Sequence, residues 1–408
     1  MSSTVRLREI GSTYGGLTGK SKADFGRGDA RFVTFLEVIN STRLSGRALE
    51  RVEVKKGERQ NRVKCGDVLF NGSSETPEEV ALSAVVDFDS NIVTFLNSFC
   101  FGFRLRPDAA VDPTYLAYFF RSSAGRSLVS SLAQGATRYN IAKTKFLDVE
   151  LALPSFERQH EIVEWLNDAD DMVATLERLI AKKQAIKQGM MQQLLTGRTR
   201  LPGFTGQWAQ LHAGDLGTFK GGSGFAPRFQ GSASGPIPFF KVSDMNNSGN
   251  ELFMRRANNY VTDAQRNSMG AVLMPTDAII FAKVGAAVFL ERKRILTTPS
   301  CIDNNMAAYV VDACRVNVRF MHYVMSAFPM SSLVATGALP SLNGSQLRSI
   351  PIALPELDEQ VAIAGVLADT DDEVNALQHR LSKARAIKAG MMQQLLTGRV
   401  RLPVEASA

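Results

Sequence analysis

Side chains able to do covalent chemistry are scattered along the chain. His160, His212, His322 and His379 neither cluster nor pair with a serine or cysteine nucleophile, and no complete G-x-x-x-x-G-K-[ST] phosphate loop occurs. Cys65, Cys100, Cys301 and Cys314 lie far apart with no CxxC pair, which speaks against a zinc site and a disulfide framework; they read as reduced core thiols. What remains is hydrogen bonding and charge pairing by polar loop residues outside the apolar runs. In the first half these are Lys20, Lys22, Arg27, Asn71 and the cluster Arg138-Tyr139-Asn140. In the second they are Lys220, Arg228, Lys241, Asn246, Asn247, Lys283 and Asn343. Such groups suit phosphate oxygens and base edges, and Lys20 and Lys220 stand in or beside glycine turns whose backbone amides can approach a phosphate closely. The competing expectation for each is an ordinary solvated position.

These residues must be positioned by a frame, and the frame is duplicated. GMMQQLLTGR runs from Gly189 to Arg198 and again from Gly390 to Arg399. Ala152-Leu153-Pro154 and Gln159 match Ala353-Leu354-Pro355 and Gln360, and Arg200-Leu201-Pro202 matches Arg401-Leu402-Pro403, all at one gap-free offset (353 − 152 = 201). Within each copy the seam positions alternate four and three apart. Ile162, Leu166, Ala169, Val173, Leu176, Ile180 and Lys183 form one seam, and Ile363, Leu367, Thr370, Val374, Leu377, Leu381 and Ala384 the other. The spacing predicts a helix over 157–196, roughly 60 Å long at about 1.5 Å per residue, closed by Gly197, with Gly189 as a site for a kink. Each narrow seam needs one slender partner, and the other copy supplies it. The layout expected is therefore an antiparallel coiled coil with a pseudo-two-fold relation between the halves.

A chain of 408 residues, 45% hydrophobic, is long enough for two or three domains; its net charge of +7 admits nucleic acid without requiring it. No apolar run is long enough for a membrane span and no signal-peptide core follows Met1, so a cytoplasmic protein is expected. The predicted domains are 1–150, a helical spacer region 151–200, a second module 201–351 and a second helical region 352–408. Gly11, Gly15 and Gly16 align with Gly217, Gly221 and Gly222 (217 − 11 = 206). The same offset carries the run Phe32 to Ile39, expected as a strand, onto Pro238 to Met245. Thr114 to Tyr118 pairs with Arg319 to Tyr323 as a short helix, and Gly135 to Phe146 faces Gly337 to Leu347. The fold class expected is α+β: two tandem mixed α/β modules separated by two long helices. Between the shared landmarks the loops diverge, as they would in two modules that grip similar things and tell different ones apart.

On these residues the chain resembles the specificity subunit of type I restriction-modification systems. The resemblance rests on Ala152-Leu153-Pro154 through Gln159, the Leu194-Leu195-Thr196-Gly197-Arg198 ending and their second copies, with weaker support from Glu9-Ile10-Gly11 and Asp215-Leu216-Gly217. It implies two target recognition domains, each reading one half of a split, asymmetric target in double-stranded DNA, with the helices as a ruler and a docking surface for modification subunits. It implies no catalysis by this chain and no metal or cofactor of its own. S-adenosylmethionine, ATP and magnesium are expected only on the modification and restriction subunits.

Two other readings compete. A free-standing DNA methyltransferase is suggested by Phe219-Lys220-Gly221-Gly222 and by Asp112-Pro113-Thr114-Tyr115, but the second proline of the acidic Pro-Pro-aromatic motif is absent and the glycine turn recurs at Gly15. A coiled-coil scaffold binding no DNA is the other, distinguished by a flat dependence of DNA retention on salt.

Overall fold

The structure, a computed structural model, describes residues 3–89, 91–135, 137–334 and 340–398; Gly337, Arg399 and Arg401-Leu402-Pro403 lie outside the described residues. Two compact units result, one of residues 1–177 and 379–408, the other of 178–378. Packing thus divides the chain inside both long helices, because each unit takes in part of each helix.

Both units are built on one mixed plan. In the first, a five-stranded sheet runs Gly11–Gly15, Cys100–Leu105, Val68–Asn71, Ser83–Val86, Arg43–Leu44. In the second it runs Gly217–Gly221, Met306–Val311, Ile279–Ala282, Lys293–Leu296, Phe253–Met254. In each only the last pair is parallel. A three-stranded sheet sits beside each: Glu50–Val52, Phe25–Val33, Thr94–Leu96 in one, Tyr260–Val261, Ile237–Phe240, Cys301–Ile302 in the other. A two-stranded ribbon closes each, Ser3–Arg6 with Glu150–Leu153 and Ala209–His212 with Pro351–Leu354. The alternation of Val149, Leu151 and Leu153, all buried, sets the first ribbon's inner face.

The run Phe32 to Ile39 is not one strand. It leaves the sheet at Val33 and becomes the helix Phe35–Asn40, because the Thr34 side chain accepts a hydrogen bond from Glu37 N at 3.2 Å and caps it. The matching run in the second unit turns from strand to 3-10 helix at Val242–Asn246.

The long helices are Phe156–Leu194 and Leu357–Leu395, each 39 residues, and both continue through Gly189 and Gly390. Gly197 and Gly398 close them in the left-handed region, at φ 70° and 69°. In the first unit Ile162, Val163 and Leu166 share a core with Leu395, Leu396, Met391 and Met392. In the second, Ile363, Ala364 and Leu367 share one with Leu194, Leu195, Met190 and Met191. Ile180 and Val374 are buried, Val173, Leu176, Leu377 and Leu381 half-buried, so the seam residues are the shielded ones.

Ion pairs flank the seam and show antiparallel pairing inside each unit. Arg385 meets Glu177 at 2.6 Å and Lys388 meets Asp170 in the first; Lys183 meets Glu373 at 2.5 Å and Lys187 meets Asp371 in the second. Partly exposed pairs like these contribute roughly 0–1 kcal/mol each, so burial of the apolar seam, about 1.5–3 kcal/mol per fully buried side chain, does most of the holding.

The repeated glutamine has a buried structural task. Gln159 donates to Pro154 O at 2.9 Å and accepts from Asp112 N at 2.9 Å; Gln360 donates to Pro355 O at 2.9 Å and accepts from Asn317 N at 2.8 Å. Each ties the start of a long helix to the cap of the module helix, Pro113–Arg121 or Val318–Ala327. Asp112 is that cap, accepting from Thr114 N and Tyr115 N at 2.7 and 3.1 Å, which accounts for the Asp-Pro-Thr-Tyr sequence without methyl transfer.

Candidate nucleic-acid interface

The glycine turns have the same cause in both units. A Cβ on Gly16 would stand 1.9 Å from Asn97 O, and one on Gly222 1.9 Å from Asp303 O, so only glycine fits where the edge strand leaves the sheet. Two amides of each turn are already bonded within the fold. Gly16 N and Leu17 N donate to Cys100 O and Leu96 O at 3.2 and 2.8 Å, and Gly222 N and Ser223 N to Met306 O and Ile302 O at 3.0 and 2.9 Å. Gly19-Lys20-Ser21 carries the last three letters of a phosphate loop, but Tyr14 stands where its first glycine belongs. Lys20 is shielded and ion-paired with Glu58.

Other candidates divide between surface and scaffold. Asn71 does not lie on the surface as its polar type suggests: it is buried, donating to Ser73 O at 3.1 Å and Glu79 O at 2.8 Å, so it braces a turn and is turned away from any DNA. Asn343 caps Gly344–Arg348 by accepting from Gln346 N at 2.8 Å, though the residue is exposed. Asn247 is tied to Asn258 Oδ1 at 3.0 Å, Asn246 accepts from Arg292, and Lys241 donates to Gln230 at 3.2 Å. Arg27 is exposed but paired with Glu53 at 3.0 Å, and Tyr139 is half-buried in a short strand opposite Ser74. Lys22, Arg138, Asn140, Lys220 and Arg228 are exposed, with the Arg138 guanidinium 5.2 Å from the ring centre of exposed Phe99 and Arg228 4.8 Å from that of Phe229. Cation-π pairs of this kind leave the guanidinium donors available.

A cluster of basic side chains outside the candidates named above lies in the first unit. An open groove of about 1050 Å³ in the first unit is lined by Lys55, Lys56, Arg59 and Arg62 with Gln60 and Asn61, and also by Asp29, Glu53 and Glu58, of which Glu53 is paired with Arg27 and Glu58 with Lys20. All four cations are exposed, and none has an ion-pair partner among the described residues. Their loop is docked on the glycine turn, since Asn61 donates to Gly15 O at 3.1 Å and Gln60 accepts from Thr18 N at 3.1 Å. The signal was legible: five Lys or Arg within Lys55 to Lys64. At the same point of the second unit, after Tyr260–Val261, stands the helix Asp263–Ser268, whose Arg266 is paired with Asp263 at 3.4 Å.

Perturbed groups elsewhere do not make a catalytic site. Burial pushes the Cys100 and Cys301 thiols up to about 12 and about 11, so neither supplies thiolate near neutral pH. Burial also pushes His322 down to about 4; its Nε2 lies 3.0 Å from Lys293 O. Among the described residues no group of three or more His, Cys, Asp or Glu side chains is placed to hold a metal ion, and no helix is long and apolar enough to cross a membrane.

The fold is that of two like-built modules in tandem, each carrying polar and basic side chains on connections that differ between them. The sequence profile of the type I restriction modification DNA specificity domain matches the chain twice, over residues 3–188 and 206–384, and the chain belongs to that family, whose role is DNA recognition and not catalysis. The putative type I restriction enzyme MjaX specificity subunit of Methanocaldococcus jannaschii is 25% identical over 388 residues, covering 91% of this chain and 87% of the relative. The MjaVIII specificity subunit of the same organism is 20% identical over 309 residues, covering 72% and 71%. Among solved structures, the S subunit of a type I restriction-modification system from M. genitalium matches with a TM-score of 0.59 at 13% identity over 97% of this chain and 96% of its own, a likeness of fold.

Proposed function

We propose that each unit reads one half of a split, asymmetric target in double-stranded DNA, and that the long helices set the gap and dock modification subunits. The observation that carries this is the pairing of one backbone frame with unlike loops: the basic groove of the first unit has a neutralised helix in its place in the second. Two different readers on one frame suit an asymmetric site, unlike the palindrome a homodimer would take. Docking is supported by apolar side chains left exposed on the first long helix, Trp165 and Met172 in one unit and Leu179 and Ile186 in the other. S-adenosylmethionine would act on the modification subunits, ATP and magnesium on a restriction subunit, and the whole would work in the cytoplasm.

Methylation-site mapping in the source genome tests the reading by returning a two-part motif. Exchanging residues 203–347 for the matching module of a relative should then change one half of that motif only; a change in both halves would refute independent readers. Retention of duplex DNA that is flat in salt would favour the scaffold reading instead.

A further inference from the structure

Lys143 and Lys283 occupy the same place in the two units although the repeat does not align them. A Cβ on Gly15 would stand 3.1 Å from Lys143 Nζ, and one on Gly221 would stand 3.1 Å from Lys283 Nζ. The glycines are equivalent: each ends the edge strand of its five-stranded sheet, Gly15 opposite Phe101 and Gly221 opposite Ala307. The lysines are not. Lys143 opens the helix Lys143–Leu147, where the second unit has Gly344 opening Gly344–Arg348. Lys283 follows the strand Ile279–Ala282, where the first unit has Gly72 following Val68–Asn71. Main-chain bonds establish the correspondence. Gly72 N donates to Phe99 O at 2.8 Å and Lys283 N to Asn305 O at 2.8 Å, while Gly72 O accepts from Ile141 N at 3.2 Å and Lys283 O from Leu342 N at 2.8 Å.

Lysine and glycine have thus traded places between two backbone positions, and the ammonium has stayed at the same turn. Divergence of a duplicated frame keeps side chains at matching positions; it does not by itself keep a charge in space while moving it in sequence. Packing does not require the charge, since Lys143 is exposed, Lys283 is half-buried and neither has a carboxylate partner among the described residues. With two amides of each turn already bonded, the ammonium is a donor left available at this point of each unit.

We propose that Lys143 and Lys283 are matched phosphate contacts, one per unit, each holding the DNA backbone at its glycine turn. This rests on the reading of the chain as a binder of duplex DNA. A phosphate contact made by an ammonium fixes register and carries no base information, so the half-site sequences should be independent of it.

The test is binding of a fluorescent mixed-sequence duplex by the full-length chain, in complex with its modification subunits, as a function of salt. Lys143→Gln and Lys283→Gln should each lower the log-log salt slope by about 0.9, and Lys143→Arg and Lys283→Arg should keep it. Moving the charge should rescue it: Lys283→Gly combined with Gly344→Lys rebuilds in the second unit the arrangement of the first, and a Cβ at Gly344 comes no nearer than 3.4 Å to Arg348 Nη1. That pair should recover the slope lost by Lys283→Gly alone. A wild-type slope in both glutamine variants, or an exchange variant as weak as Lys283→Gly, overturns the proposal while leaving the DNA reading intact. No retention of duplex by the wild-type complex at any salt overturns both.

Discussion

The two units solve one packing problem with different side chains. Beneath the first sheet lies an aromatic cluster: Phe70 stands 5.2 Å from Phe101, 5.3 Å from Phe120 and 4.8 Å from Phe146, ring centre to ring centre. The matching places in the second unit hold Phe281, Ala307, Met325 and Leu347, all buried. Strand order and the Gly16 and Gly222 turns are shared; core volume is redistributed and the connections are rebuilt. Backbone pairing and steric exclusion at a turn leave few alternatives, whereas apolar volume can be supplied in several shapes.

Four experiments probe how far the two units differ. Phe70→Ala should destabilise its unit by about 4–5 kcal/mol and Phe281→Ala by about 3 kcal/mol, because Phe70 loses three ring neighbours and Phe281 only Phe219 at 6.4 Å. Denaturant unfolding measures both, and equal losses would make the aromatic cluster incidental. Next, neutralising the groove with Lys55→Gln, Lys56→Gln, Arg59→Gln and Arg62→Gln should lower the salt slope of duplex binding by about 3 to 4, while Arg266→Gln in the second unit leaves it unchanged.

A pH test also separates the units. His322 is buried with its pKa pushed down to about 4, by burial first and then by Arg319, Arg294 and Lys187; the matching residue of the first unit is Ala117. A group whose folded pKa lies below its ordinary 6.5 takes up its proton more readily unfolded. The second unit therefore loses stability as pH falls from about 6.5 to about 4, by up to roughly 3 kcal/mol, and His322→Gln should flatten that loss. Thermal melts across this range decide it. Last, the helix caps should differ little: Asp112→Ala and Asn317→Ala should each cost about 1 kcal/mol, seen in the same melts.

The seam of the long helices was legible because a heptad is a property of spacing, and spacing survives in sequence. Ile162, Leu166, Ile363 and Leu367 fall where the period puts them, all buried. The strand-to-helix switch at Thr34 was not, since an apolar run does not announce that a hydroxyl will cap it. Among candidate contacts, residue type could not separate Asn71, turned inward onto carbonyls, from Asn140, left exposed. Lys143 was invisible for a topological reason: alignment sets it against Gly344, and only the fold brings it to the turn that Lys283 also reaches.

The make-up of the first unit bears on biosynthesis. Residues 178–378 are one unbroken stretch and can collapse as soon as they have emerged, whereas the earlier-made residues 1–177 must wait for Met391, Met392, Leu395 and Leu396 to complete their core. The half translated first is thus the half finished last, and a chain ending at residue 378 would carry a first half whose core is left open.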